Sequence, residues 1–107
     1  LGVPASYWLD LRDYDAAAAA KEVKVPLLIL QGERDYQVTL ADFARWKESL
    51  AETSTAKLVT YPQLNHLFMT GKGKSVPVEY LAPSNVDEQI VRDVAEWVLK
   101  TPARSTP

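Results

Sequence analysis

Apolar positions along the chain concentrate in two short runs and two longer stretches spaced three to four residues apart. The first run, Val25 to Leu30, places Leu27, Leu28, Ile29 and Leu30 side by side with Pro26 at its entrance. A strand apolar on both faces belongs in a parallel sheet between helix layers, and proline is tolerated where a strand begins. The second run, Ala56 to Tyr61, carries Leu58, Val59 and Tyr61 and stops at Pro62. Between the runs, Phe43, Trp46 or Lys47, and Leu50 recur at helical spacing, and Thr39 with Asp42 forms a capping-box pattern. Trp46 is read there as a packing residue. After the second run, Val86, Ile90, Val91, Val94, Trp97 and Val98 mark an amphipathic helix reaching about Leu99. Asn85 with Glu88 is the expected capping box of that helix.

The remaining segments fill in the order. Asp13 or Asp15 can cap a helix through Ala16–Ala20, ending near Val23, because an alanine run has strong helix propensity. Residues 1–12 form an irregular lead-in, a loop or a short helical turn, since Tyr7, Trp8, Leu9 and Leu11 fit neither period. Residues 69–85 carry Gly71, Gly73, Pro77 and Pro83 without periodicity, as a functional or mobile long loop would. Residues 100–107 read as a flexible tail. The order α-β-α-β-α, with a helix between the two strands, implies an α/β fold whose strands are parallel and joined by a right-handed crossover. No internal repeat or interdomain linker interrupts residues 1–107.

Composition narrows the chemistry. The 107 residues are 47% hydrophobic and 24% charged, with a formal net charge of −2, so no nucleic-acid partner is expected. The chain has no cysteine and one histidine, which removes thiol nucleophiles, disulfides and histidine-rich metal sites; no cofactor is expected. No run approaches the ~18 apolar residues of a membrane span and no signal peptide is visible, so no membrane partner is expected and the compartment stays open. The first residue is Leu1 rather than methionine, which raises the expectation of a longer parent chain.

The candidate chemistry lies at the strand ends. In open α/β sheets, reactive groups gather beyond the carboxyl ends of the strands. Asp35 follows the first strand and His66 the second, 31 residues apart, enough for one helix and one strand between them. A carboxylate that accepts the Nδ1 proton of an imidazole fixes its tautomer and frees Nε2 to act as a base. Glu33 is a rival acid, better read as surface charge, and Asn65 is expected to shape the turn, with Phe68 and Met69 packed beside His66. Gly73-Lys74-Ser75 ends like a phosphate-binding loop, but the position of that motif's first glycine is Phe68 and no strand leads in.

The motif Gly32-x-x-Asp35-x-x-Val38 after an apolar strand, then Pro62-x-x-Asn65-His66 after the next strand and a long amphipathic helix, resembles the C-terminal part of the α/β-hydrolase fold. The dienelactone-hydrolase and serine-peptidase-like esterase branch is the most similar, and the resemblance spans about residues 13–99. It implies a partial α/β-hydrolase fold with residues 1–107 as its C-terminal portion, Asp35 as triad acid and His66 as triad base. The family's G-x-S-x-G nucleophile elbow is missing from these residues: the glycines are Gly2, Gly32, Gly71 and Gly73, and none flanks a serine in that pattern. The first βαβ units and the oxyanion-hole loop are missing too.

The resemblance therefore implies a serine-hydrolase fragment that cleaves ester or related acyl bonds of a small-molecule substrate only in the complete enzyme, and is inactive alone. The alternative is a non-catalytic domain that oligomerises or binds a complementary chain, because two parallel strands cannot cover their own edges. A third expectation is a site assembled between subunits, with a partner chain supplying the nucleophile.

Overall fold

A computed structural model describes residues 2–102. In chain order it contains α1 (Ala5–Leu11), α2 (Ala16–Ala20), β1 (Leu27–Gly32), α3 (Leu40–Ser49), β2 (Ala56–Tyr61), a 3-10 helix (Pro77–Leu81) and α4 (Glu88–Lys100). β1 and β2 form a two-stranded parallel sheet in which Leu27 pairs with Ala56 and Gly32 with Tyr61. α3 carries the chain from one strand to the next, so both strands end on the same side. This is the expected α/β arrangement of parallel strands with flanking helices.

Local chemistry sets most element boundaries. Asp15 caps α2 by accepting from Ala18 N at 3.0 Å. α2 closes at Ala20, earlier than Val23, because Lys21, Glu22 and Val23 bond back three residues and tighten the chain into turns. Thr39 and Asp42 form the capping box of α3, Asp42 accepting from Thr39 N at 2.8 Å. The start of α4 differs from the expected Asn85 cap. Asp87 is the N-cap, accepting from Gln89 N at 2.8 Å, and its own N–H donates to Phe68 O at 2.9 Å. That tertiary bond decides where the helix begins.

Three further differences bear on the site. Residues 5–11 of the lead-in form a helix, α1, none of whose residues is buried. The segment 69–85 contains the 3-10 helix, with Pro77 at its start, rather than an unbroken loop. β1 is half-buried along Leu27–Leu30 instead of covered on both faces, because helices pack on only part of a two-stranded sheet. The tail expectation at 103–107 lies outside the described residues.

The buried core is small. Tyr61, Leu64 and Ile90 form one cluster, with Leu30, Val59 and Phe68 packed against it. Tyr61 also donates its hydroxyl to Asp93 Oδ2 at 2.6 Å, which docks α4 onto the end of β2. Ala17 and Ala20 are buried where α2 packs against α3, with Arg45 reaching Asp15 at 3.2 Å across the exposed rim. Phe68 thus packs into the core cluster.

Candidate active site

Gly32 closes β1 and begins the acid loop. A side chain there is excluded by close approach, since a Cβ would lie 2.6 Å from Asn65 O and 2.9 Å from Leu64 C. The backbone of the histidine turn therefore lies directly against the end of β1. Arg34 N donates to Leu64 O at 3.0 Å and Glu33 N to Tyr61 O at 3.0 Å, extending the strand pairing into both loops. Buried Gln31 ties the acid loop at both ends, donating to Gly32 O at 2.9 Å and Val38 O at 2.8 Å.

This frame holds Asp35. Its Oδ1 accepts from Gln37 N at 2.8 Å and Val38 N at 3.0 Å, and its Oδ2 lies 2.7 Å from His66 Nδ1. Burial pushes the Asp35 carboxyl up, but the Val38 N–H, the His66 ring and the Gln37 N–H outweigh it and hold the group below its ordinary value. An ionised carboxylate only accepts, so Nδ1 carries the proton. Nε2 is then the free basic nitrogen, and it makes no hydrogen bond among the described residues. The Asp35 side chain is 6% exposed and that of His66 36%, so the acid is sealed in while the base reaches the surface. Glu33 instead accepts from Thr60 Oγ1 at 2.7 Å, away from the ring.

The turn carrying His66 is built by Asn65, which is completely buried. Its Oδ1 accepts from Leu67 N and Met69 N, both at 3.0 Å, and its backbone N–H donates to Met69 O at 3.1 Å. Phe68 takes φ 56°, the left-handed conformation that lets the chain reverse this sharply. Asn65 Nδ2 donates to Glu79 Oε2 at 3.0 Å.

Glu79 is the hub of a network absent from the expected site. Ser75 Oγ, 1% exposed, donates to Glu79 Oε2 at 2.6 Å, and the guanidinium of Arg34 pairs with Oε1. Arg34 Nε also donates to Gly73 O at 2.7 Å. Gly71 leaves the room, since a Cβ there would meet the guanidinium. The Ser75, Asn65 and Arg34 donors pull the Glu79 carboxyl down to about 2. Gly73-Lys74-Ser75 is thus part of a structural network with its serine occupied. No local pattern signals this pair, since Arg34 and Glu79 lie 45 residues apart and the burial of Arg34 appears only in the folded chain.

A cleft of about 1060 Å³ opens beside the acid loop, between Arg34, Asp35 and Tyr36 on one wall and Gly73, Lys74 and Ser75 on the other. His66 is not part of its lining, so the cleft borders the acid rather than the base. Among the described residues, no group of three histidine or acidic side chains is placed to hold a metal ion, and no helix is long and apolar enough to cross a membrane.

The prolyl oligopeptidase family model matches residues 4–82, a span containing both strands, the acid loop and the histidine turn. The chain belongs to the prolyl oligopeptidase family. It is also 42% identical to Esterase EstD of Thermotoga maritima over 100 residues, covering 94% of this chain and 24% of that protein. The chain therefore spans about a quarter of that relative's length. No solved structure matches it. The prolyl oligopeptidase family is an α/β-hydrolase family.

Proposed function

We propose that these 107 residues supply the acid and the histidine of a serine hydrolase that cleaves ester or related acyl bonds, while the nucleophile comes from outside them. The observation that carries this reading is the Asp35–His66 pair, 2.7 Å apart at the ends of adjacent parallel strands, with the acid sealed and Nε2 unengaged. In the reaction, His66 Nε2 takes the proton of an attacking serine and returns it to the leaving group. Asp35 holds the ring and stabilises the imidazolium. Ser75 is no substitute nucleophile, because its hydroxyl is buried and donates to Glu79. The similarity to Esterase EstD supports an acyl substrate.

Labelling with a fluorophosphonate probe tests the reading. The 107-residue chain alone is expected to stay unlabelled. The full gene product is expected to label at a serine outside it, and His66→Ala to remove that label. Full-length labelling that survives His66→Ala would overturn the assignment.

A second reading has its own support, the exposed apolar surface on Trp8, Leu9, Val91, Val98 and Leu99. Such a surface fits a domain that oligomerises or binds a complementary chain, and that chain could also bring the nucleophile. A monodisperse monomer of native-like stability in size-exclusion chromatography would count against it.

A further inference from the structure

We propose that Glu79 is a positioning residue for His66, acting through Asn65 to fix the turn that presents the imidazole. The inference deepens the hydrolase reading and rests on it for its catalytic meaning.

The Asp35 bond constrains only one edge of the ring. Where the ring's Cα sits is decided by the turn, and the turn is decided by which end of the Asn65 amide faces it. Oδ1 must face the turn to accept from Leu67 N and Met69 N. The amide nitrogen then points away and needs an acceptor, and Glu79 Oε2 is that acceptor. An amide turned the other way would set its NH2 against two backbone N–H donors. Glu79 therefore sets the orientation of Asn65, and Asn65 sets the turn.

Glu79 is itself fixed from two further segments. Arg34, adjacent to the triad acid, pairs with Oε1, and Ser75 donates to Oε2. One carboxylate thus joins the acid loop, the histidine turn and the 3-10 helix. Asp35 and His66 are held to each other directly and, one step behind, through Arg34–Glu79–Asn65. The network fixes distance and ring orientation together, as a proton relay requires.

The chemistry offers a charge-swap test. In Glu79→Gln, one end of the new amide faces Arg34 and the other faces Asn65 and Ser75, so in either orientation a donor meets a donor. In Asn65→Asp, a carboxylate faces the Glu79 carboxylate. In the double variant Asn65→Asp/Glu79→Gln, the amide nitrogen of the introduced glutamine donates to the introduced aspartate. The amide oxygen accepts from Arg34, and the Ser75 hydroxyl turns to accept. The contacts between these four side chains are restored with the net charge unchanged.

The readout is the nitrogen-15 spectrum of His66, the chain's one histidine. The unsubstituted chain is expected to show the Nδ1–H tautomer with a protected, downfield Nδ1 proton. Each single variant is expected to lose that proton signal while far-UV circular dichroism stays folded, and the double variant to regain it. An unchanged signal in folded Glu79→Gln, no recovery in a folded double variant, or no such signal in the unsubstituted chain overturns the proposal. If the single variants do not fold, Ser75→Ala removes one donor only. Faster exchange of the Nδ1 proton is then expected, and unchanged exchange overturns the proposal. Fluorophosphonate labelling is independent of these results, so a failure here is distinct from a failure of the hydrolase reading.

Discussion

At the carboxyl ends of the strands, Asn65, Ser75 and Arg34 are buried, and among the described residues no buried side-chain nitrogen or oxygen lacks a partner. On the outer faces of α1 and α4, Trp8, Leu9, Val91 and Leu99 stand open to solvent, Leu99 at 85% exposure. The two regions are held by different forces. The loop end is ordered by short polar bonds whose loss would strand a buried group, so its geometry is self-contained. The helix faces gain only when further apolar surface covers them, so their contribution depends on what packs there. The lesson is that the acid–histidine geometry can be set locally even where the surrounding apolar packing is thin.

Acid is expected to have the broadest effect, because it acts on several ties of the loop end at once. The pKa of Glu79 is depressed to about 2 and that of Asp35 is lowered. For groups depressed on folding, the stabilisation is present above the unfolded carboxylate values near 4 and is lost as pH falls towards the folded ones. Stability followed by urea denaturation should therefore fall between about pH 5 and pH 2. Glu79→Gln should flatten that dependence, and an unchanged slope in the variant would place the acid sensitivity elsewhere.

Among substitutions, Ile90→Ala should have the largest effect, about 2–4 kcal/mol, because it opens a cavity in the one cluster that joins α4 to the strand end. Gly32→Ala comes next at about 1–3 kcal/mol, since its Cβ would push on the backbone of the histidine turn, which has little room to move. Gly32→Ala should also disturb the His66 spectrum, whereas Ile90→Ala should act mainly on stability. Tyr61→Phe removes the bond to Asp93 while keeping the ring, and should lower stability by about 1 kcal/mol in the same titration. Leu99→Ser should change the stability of the isolated chain by no more than about 0.5 kcal/mol. If the exposed face of α4 is covered in an assembly, the same substitution should weaken that assembly in sedimentation velocity, which separates the two regions cleanly.

What could be read from the sequence follows the same division. Short-range signals translated directly: Thr39 with Asp42 opens α3, Asp15 caps α2, and the run Ala56–Tyr61 is β2. The approach of Asp35 to His66 is legible because a parallel crossover brings consecutive strand ends together, whatever the details of packing. The Arg34–Glu79 pair is not, since its partners lie 45 residues apart and no periodicity links them. A cap pattern is local and points to Asn85 as the start of α4, while the bond from Asp87 N to Phe68 O that decides the boundary is tertiary. At α1 a related limit leaves a loop and a short helical turn both open, and the structure shows a helix over Ala5–Leu11. Its Tyr7, Trp8, Leu9 and Leu11 show no one-sided stripe, and none of them is buried.

The role of Asp35 in orienting His66 is tested by the turnover of an acyl ester by the full gene product carrying Asp35→Asn. The asparagine oxygen can keep the Gln37 and Val38 bonds, but its NH2 then faces His66 Nδ1 and favours the wrong tautomer. A fall in kcat of about 10³–10⁴-fold with little change in KM is expected. A fall of less than about tenfold would contradict that role, because the acid would then not be orienting the histidine.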